Sequence, residues 1–215
     1  NENGGAELGP WGIINAQHTR GAEALAAAAR RGDLQLLTFS SDLVFDGLAT
    51  SPYVESSPVA PVCQYGRSEV LAEVAVLNLY PQTLCVRTAA FFGAHDRSDF
   101  LTNALRRLVG GQRFMAPEDV VVSPTYLPDL VHASLDLMID RCSGLWHLAN
   151  PSAVSLANFV RQAAEITGID SSRLVAGPVS SCGWTATRPR FSALGSERGT
   201  MVPPLEDALY RYAAH

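Results

Sequence analysis

The stretch Phe39–Gly47, "FSSDLVFDG", decides how this chain of 215 residues folds. Two hydroxyls and a carboxylate follow directly on the apolar run "LQLLTF", and the polar turn at the carboxyl end of a buried strand is where open α/β sheets bind ligands. Taken alone, Ser40, Ser41 and Asp42 could equally satisfy the backbone groups of a turn. The surroundings give the cluster more weight. Upstream, "TRGAEALAAAARRG" is alanine-rich and stops at Gly32, as a helix does. Before it, the apolar residues of "WGIINA" run together rather than alternate, which predicts a short buried strand. The opening "NENGGAELGP" is polar and glycine-rich.

Downstream, three prolines in "SPYVESSPVAPVCQ" bar that segment from a strand centre or helix interior. "YGRSEVLAEVAVLNLY" then places Val70, Leu71, Val74, Leu77 and Leu79 at near-helical spacing, and "TLCVRTAAFFG" reads as another buried strand. Strand, helix, strand is the rhythm of a parallel α/β sheet. From Ser98, "SDFLTNALRRLVGG" is a helix with an N-cap candidate, an apolar face of Phe100, Leu101, Leu105 and Leu108, and Gly110 as its stop. "DVVVSPTYL" is a short strand into a turn, and Pro128 opens the helix "PDLVHASLDLMID". "GLWHLAN" is a strand and "SLANFVRQAAEITG" a helix capped by Ser155 and ended by Gly168. The remainder reads as loop-rich, with a final short helix "PLEDALYRYAAH".

Composition narrows the function. With 47% hydrophobic residues the chain buries a sizeable core. A net charge of -5, with no arginine cluster, argues against binding nucleic acid. Cys63, Cys85, Cys142 and Cys182 lack CxxC spacing, and the five histidines show no ligand spacing, so no metal site is expected. No apolar run has the length of a membrane span, and the N-terminus lacks a signal-peptide pattern; a cytoplasmic protein with reduced thiols is expected. All sixteen basic residues are arginine. No side chain of this sequence can supply an ammonium.

Six segments occur in the order and at roughly the spacing of the extended short-chain dehydrogenases/reductases: "FSSDLVFDG", "YVESSPVAPVCQYGRSEVLAE", "LCVRTAAFFG", "VVVSPTYLPDLVHASLDLMI", "GLWHLANPSAVSLANFV" and "RPRFSALGS". Within that superfamily the chain resembles the dTDP-4-dehydrorhamnose reductases from about Trp11 to its C-terminus, including the similar modules fused behind glycoside hydrolases. The resemblance implies an α/β fold: a Rossmann-like parallel sheet, incomplete at its N-terminal side, over residues 1–99, and a smaller α+β substrate-binding lobe over 100–215 with some strands returning to the sheet. It implies NADP or NAD as cofactor, a nucleotide-sugar substrate, and a cleft formed by Ser40, Ser41, Asp42, Tyr65, Arg87, Thr88, Pro124 and Thr125. By resemblance Ser41 hydrogen-bonds the substrate carbonyl and Tyr65 delivers the proton as hydride arrives.

Three positions depart from the family. Glu69 stands where the tyrosine's lysine partner belongs, four residues on and so on one helix face. At a separation of about 4 Å and an effective dielectric of about 20, an ammonium beside a phenolate contributes roughly 4 kcal/mol, enough to bring a tyrosine from near 10 toward neutrality. A carboxylate reverses that sign. Leu43 replaces a usual tyrosine, and Ala90 a usual tryptophan that packs on the sugar. The dinucleotide-binding loop of the family is not present in this sequence, since "NGGAELG" has the wrong glycine spacing, and residues are suspected to be absent between Ala16 and Gln17. An incomplete sheet would expose an edge and a helix-packing face, so a fusion domain or homo-oligomer is expected to cover it. Two functions remain open at this point: an impaired reductase, or a non-catalytic binding or regulatory module.

Overall fold

A computed structural model describes residues 10–95, 98–184 and 186–214; the glycine-rich opening lies outside them. In chain order the elements are α1 (Pro10–Gly32), β1 (Leu37–Ser41), α2 (Gln64–Leu79), β2 (Leu84–Thr88), β3 (Phe91–Phe92), α3 (Phe100–Val109), β4 (Phe114–Pro117), β5 (Val121–Val122) and β6 (Thr125–Tyr126). α4 (Leu127–Ile139), β7 (Gly144–His147), β8 (Val154–Ser155), α5 (Leu156–Thr167), β9 (Leu174–Gly177) and α6 (Leu205–Ala213) follow. The architecture is mixed α/β with parallel pairing dominant.

The strand expected over "WGIINA" is helical: α1 covers it and runs unbroken through Ala16 and Gln17. A buried strand must pair its backbone groups with neighbours, whereas a helix satisfies its own. Among the described residues β1 has no strand on its outer side, so nothing pairs with a strand there, and the alanine-rich helix propagates back instead.

The main sheet has the order β1-β2-β7, all parallel, with Ser40 opposite Arg87, Ser41 opposite Thr88, and Arg87 opposite His147. This register puts the chemistry-bearing residues of three strands at one carboxyl edge. β2 is buried throughout, sandwiched between neighbouring strands and helices. α4 covers one face through Leu130, Ala133 and Leu137 against Leu84 and Val86. The edge strand β1 leaves Phe39 48% exposed.

The rest forms three two-stranded pairs around a second core: β3 with β6 and β4 with β9 in parallel, β5 with β8 antiparallel. Leu101, Leu105, Phe114, Phe159, Val160 and Leu209 hold α3, α5, α6 and β4 together. β4 and β9 were not foreseen, because four residues beside glycines and prolines carry little periodic signal. The helix punctuation follows the sequence. Asp99 caps α3 by accepting from the Thr102 amide at 2.8 Å, Ser155 caps α5 at 3.2 Å, and Gly168 ends it at φ +69°, the left-handed region that favours glycine.

α2 departs from its expected face. Leu71 and Val74 are more than half exposed, while Gly66, Glu69, Ala72, Glu73 and Val76 are buried. Polar contacts with the sheet set the rotation of this helix.

Candidate active site

The site begins where β1 ends. Ser41 enters a 3-10 turn, Asp42–Val44, and its Oγ accepts from the Leu43 amide at 3.1 Å while donating to Asp42 Oδ1 at 3.0 Å. Ser192 Oγ donates to the other carboxylate oxygen at 2.5 Å, reaching across 150 residues of sequence. Burial pushes the Asp42 carboxyl up to about 6, against the two serine hydrogen bonds and the charge of Arg188, which hold it down. Asp42 is thus a buried acid able to change charge near neutrality.

α2 is seated directly on this turn. A Cβ on Gly66 would lie 2.0 Å from the Leu43 carbonyl oxygen, so only glycine permits the approach. Cys63 caps the helix, its Sγ accepting from the Gly66 amide at 3.3 Å. Tyr65, one residue earlier, therefore stands beside the Ser41–Asp42 turn. Its phenol is pushed up to about 12, first by burial, then by the charge of Glu69 and the hydrogen bond the phenol donates to it, then by the charges of Asp42 and Cys63. The side chain keeps 53% of its surface exposed, facing a cleft of about 520 Å³ lined also by Leu43, Val62, Cys63, Arg67 and Arg188.

Behind the cleft lies a buried polar network. Arg87 Nε and Nη2 donate to the two oxygens of Glu73 at 2.8 and 2.6 Å, and Ser40 Oγ donates to Oε1 of the same carboxylate at 2.5 Å. Arg87 Nη1 also approaches His147 Nε2 at 3.4 Å, and the Phe45 ring lies 5.2 Å from its guanidinium carbon. Nδ1 of His147 donates to the Gly195 carbonyl at 2.9 Å, which leaves Nε2 to accept. Burial lowers the His147 pKa, and the charge of Arg87 lowers it further, against the pull of Glu55. The ring is neutral at physiological pH. Glu55 accepts from the His147 amide at 2.9 Å and from Ser196 Oγ at 2.7 Å, tying the sheet to the C-terminal segment.

The structure thus brings Ser41, Asp42, Tyr65 and Glu69 together, and Ser40 with Arg87 beneath them. It buries Arg87 beneath the cleft, 3% exposed and paired with Glu73. Thr88 is buried opposite Ser41 with its Oγ1 unpartnered. Pro124 and Thr125 belong to the second layer, where Thr125 Oγ1 donates to the Ser123 carbonyl at 3.3 Å and its amide to Ala90 at 3.2 Å. Ala90 itself sits at φ +35°. Sequence reasoning missed Glu73, Ser192, His147 and Glu55. Glu73 was findable: it lies one helical turn beyond Glu69 and two beyond Tyr65, and an arginine in a fully buried strand calls for a carboxylate. A second cavity, about 330 Å³ beside Gln35, Tyr80 and Arg141, lies by the amino ends of the strands, away from Tyr65.

A parallel sheet whose carboxyl edge carries a Ser-Ser-Asp turn, with a tyrosine-bearing helix seated on that turn, defines the chain as a Rossmann-like α/β fold. The RmlD substrate binding domain model matches residues 13–213, and the chain belongs to that family. It is 35% identical over 198 residues to a dTDP-4-dehydrorhamnose reductase of Mycobacterium tuberculosis, covering 88% of this chain and 64% of that protein. It is 31% identical over 182 residues to a dTDP-4-keto-6-deoxy-D-glucose reductase of Streptomyces niveus, covering 82% and 62%. The chain thus spans less than two thirds of the length of either relative. A crystal structure of a dTDP-4-dehydrorhamnose reductase from Clostridium acetobutylicum superposes with a TM-score of 0.87 at 26% identity, covering 95% of this chain and 74% of that one. One from Bacillus anthracis, in complex with NADP, gives 0.85 at 23% identity, covering 96% and 76%. Among the described residues no helix is long and apolar enough to cross a membrane.

Proposed function

We propose that this chain forms the substrate side of a nucleotide-sugar 4-ketoreductase, slowed at proton delivery. The carrying observation is the seating of α2 on the β1 turn through Gly66, which holds the Tyr65 phenol beside Ser41 and Asp42. In this reading the substrate carbonyl lies against Ser41 and Tyr65, and residues 1–99 supply the Rossmann-like part while 100–215 supply mainly the substrate lobe. A reduced nicotinamide, NADPH by family, would supply hydride when bound.

The residues present do not fit that cofactor well. Glu69, 4% exposed and engaged with Tyr65, offers only acceptors where the family's lysine donates to the ribose. What the chain's own residues do is hold a proton: Tyr65 stays a phenol across the physiological range, so it can donate a hydrogen bond to a carbonyl but gives up its proton reluctantly. Asp42, bonded to Ser41, holds a proton more loosely.

The same carboxylate at 69 favours a second reading, a non-catalytic module that binds nucleotide sugars in a fusion or assembly. Glu69→Lys separates the two. A marked gain in reduction of a 4-keto nucleotide sugar by NADPH supports the reductase, and binding of the sugar with no gain supports the module. If neither the wild type nor Glu69→Lys binds or reduces a nucleotide sugar, both readings fail.

A further inference from the structure

Ser192 brings the C-terminal segment into contact with the turn after β1. It is 1% exposed, and the backbone around it is held from both sides. The Val121 amide of β5 donates to the Arg190 carbonyl at 2.8 Å, and the Ser192 amide donates to the Val121 carbonyl at 2.9 Å. From the other side, the Tyr53 amide donates to the Ala193 carbonyl and the Gly195 amide to the Tyr53 carbonyl, each at 2.8 Å. The Ser192 hydroxyl is thereby fixed at Asp42 Oδ2, 2.5 Å away.

Ser41 has one hydroxyl hydrogen, and a bound ligand gives it a second acceptor to serve. Without ligand that hydrogen goes to Asp42 Oδ1 at 3.0 Å, while Ser41 Oγ accepts from the Leu43 amide at 3.1 Å. To bond a ligand carbonyl, Ser41 must withdraw its hydrogen from a carboxylate that is 5% exposed, where water has little access to replace it. A buried acceptor stripped of its donors is costly, more so when it is charged. What still answers the carboxylate is the Ser192 hydroxyl on the other oxygen, together with the charge of Arg188.

We infer that Ser192 is a positioning residue, which holds the Asp42 carboxylate and so frees the Ser41 hydroxyl to bond the carbonyl of a ligand in the cleft. This rests on the reading of the cleft as a nucleotide-sugar site. The role exists only while Asp42 is ionised, because a protonated carboxyl carries its own hydrogen and needs none from Ser41. Burial places that change at about 6, so the contribution of Ser192 is present at pH 8 and largely gone at pH 5. Facing Asp42 are Arg188, whose charge favours the carboxylate, and Tyr65 of α2, whose phenol is pushed up to about 12 and which Cys63, Arg67 and Glu69 flank in sequence.

The test is titration calorimetry of the 215-residue chain with thymidine diphosphate 4-keto-6-deoxyglucose and with its 4-deoxy counterpart, which lacks the carbonyl oxygen, at pH 8 and pH 5. The ratio of the two affinities reads the bond to that oxygen. At pH 8 Ser192→Ala should lower the ratio about threefold to tenfold, and at pH 5 by less than about twofold. Ser192→Cys, nearly isosteric and a weaker donor, should fall between wild type and Ser192→Ala, and it carries the test where the alanine variant does not fold. Ser134→Ala, which removes a buried hydroxyl that has no partner, should leave the ratio unchanged. Carbon-13 NMR titration of the Asp42 carboxyl, identified by its absence in Asp42→Asn, should move further up in Ser192→Ala, since a hydrogen bond to the charged form is lost. A ratio lowered equally at both pH values, a ratio unchanged at pH 8, or an unmoved Asp42 titration would overturn the assignment. If wild type binds neither sugar, the nucleotide-sugar reading fails and the assignment with it. If both sugars bind and the ratio does not respond to Ser192→Ala, that reading stands and the role of Ser192 alone falls.

Discussion

Asp42→Asn should stabilise the protein above neutrality and lose that advantage in acid. The carboxyl titrates at 3.8 in the unfolded chain and about 6 in the fold, because burial outweighs the bonds from Ser192 and Ser41. The folded state therefore binds the proton more tightly. Below pH 3.8 both states are protonated and the group is neutral in the balance. As pH rises from 3.8 to about 6 the unfolded chain ionises first, and folding loses about 3 kcal/mol, a loss complete above pH 6. Asparagine removes the charge, but its single carbonyl oxygen cannot accept from both serines, which returns about 1–2 kcal/mol. The net gain at pH 8 is about 1–2 kcal/mol, and at pH 4 the variant should be the less stable by a similar amount. Urea unfolding of both proteins at pH 4, 6 and 8 reads the difference. A stability difference independent of pH, or one that favours asparagine only in acid, would refute the claim that Asp42 is held against its ionisation.

Glu69→Lys should lower the Tyr65 phenol from about 12 by removing the carboxylate's share of the rise while leaving that of burial, read by ultraviolet titration of tyrosinate with Tyr65→Phe identifying the curve; an unchanged curve would mean that Glu69 contributes nothing to it. Arg87→Met should cost about 3–5 kcal/mol by leaving Glu73 buried and unpaired, whereas Arg87→Met with Glu73→Leu should recover most of that loss in denaturant unfolding. If the double variant is no better than the single, the ion pair is not an isolated unit. Gly66→Ala should cost about 3 kcal/mol, since its methyl cannot coexist with the Leu43 carbonyl and α2 must shift. A variant as stable as wild type would show that α2 does not rest on the turn.

The main sheet and the helix ends were legible because each rests on a local signal. Apolar runs such as "LCVRT" mark buried parallel strands, and Ser155 and Gly168 mark the start and stop of α5. The misread elements are those whose state depends on what packs beside them. "WGIINA" has strand composition but, among the described residues, no strand beside it to pair with, and the "FMAP" strand is too short for its alternation to show. At the site, Ser41, Tyr65 and Glu69 could be placed by motif. Ser192 could not, because its bond to Asp42 spans 150 residues and follows no spacing rule. Arg87 was misassigned to the cleft for the complementary reason: a charged residue in an apolar strand looks functional until its partner, Glu73, is found on the facing helix.

That pairing also changes how Glu69 reads. α2 buries acids on two successive turns, and the sheet supplies one guanidinium, which Glu73 takes with both oxygens. Glu69 lies one turn closer to the cleft, and the chain has no lysine to answer it. Its charge and the hydrogen bond it accepts from Tyr65 keep the phenol protonated, which resists proton transfer. The substitution leaves the fold of α2 intact, since Gly66, Ala72 and Val76 still seat it. What it alters is the sign of the field on the phenol, and the positive charge that lines the cleft belongs to Arg67 and Arg188.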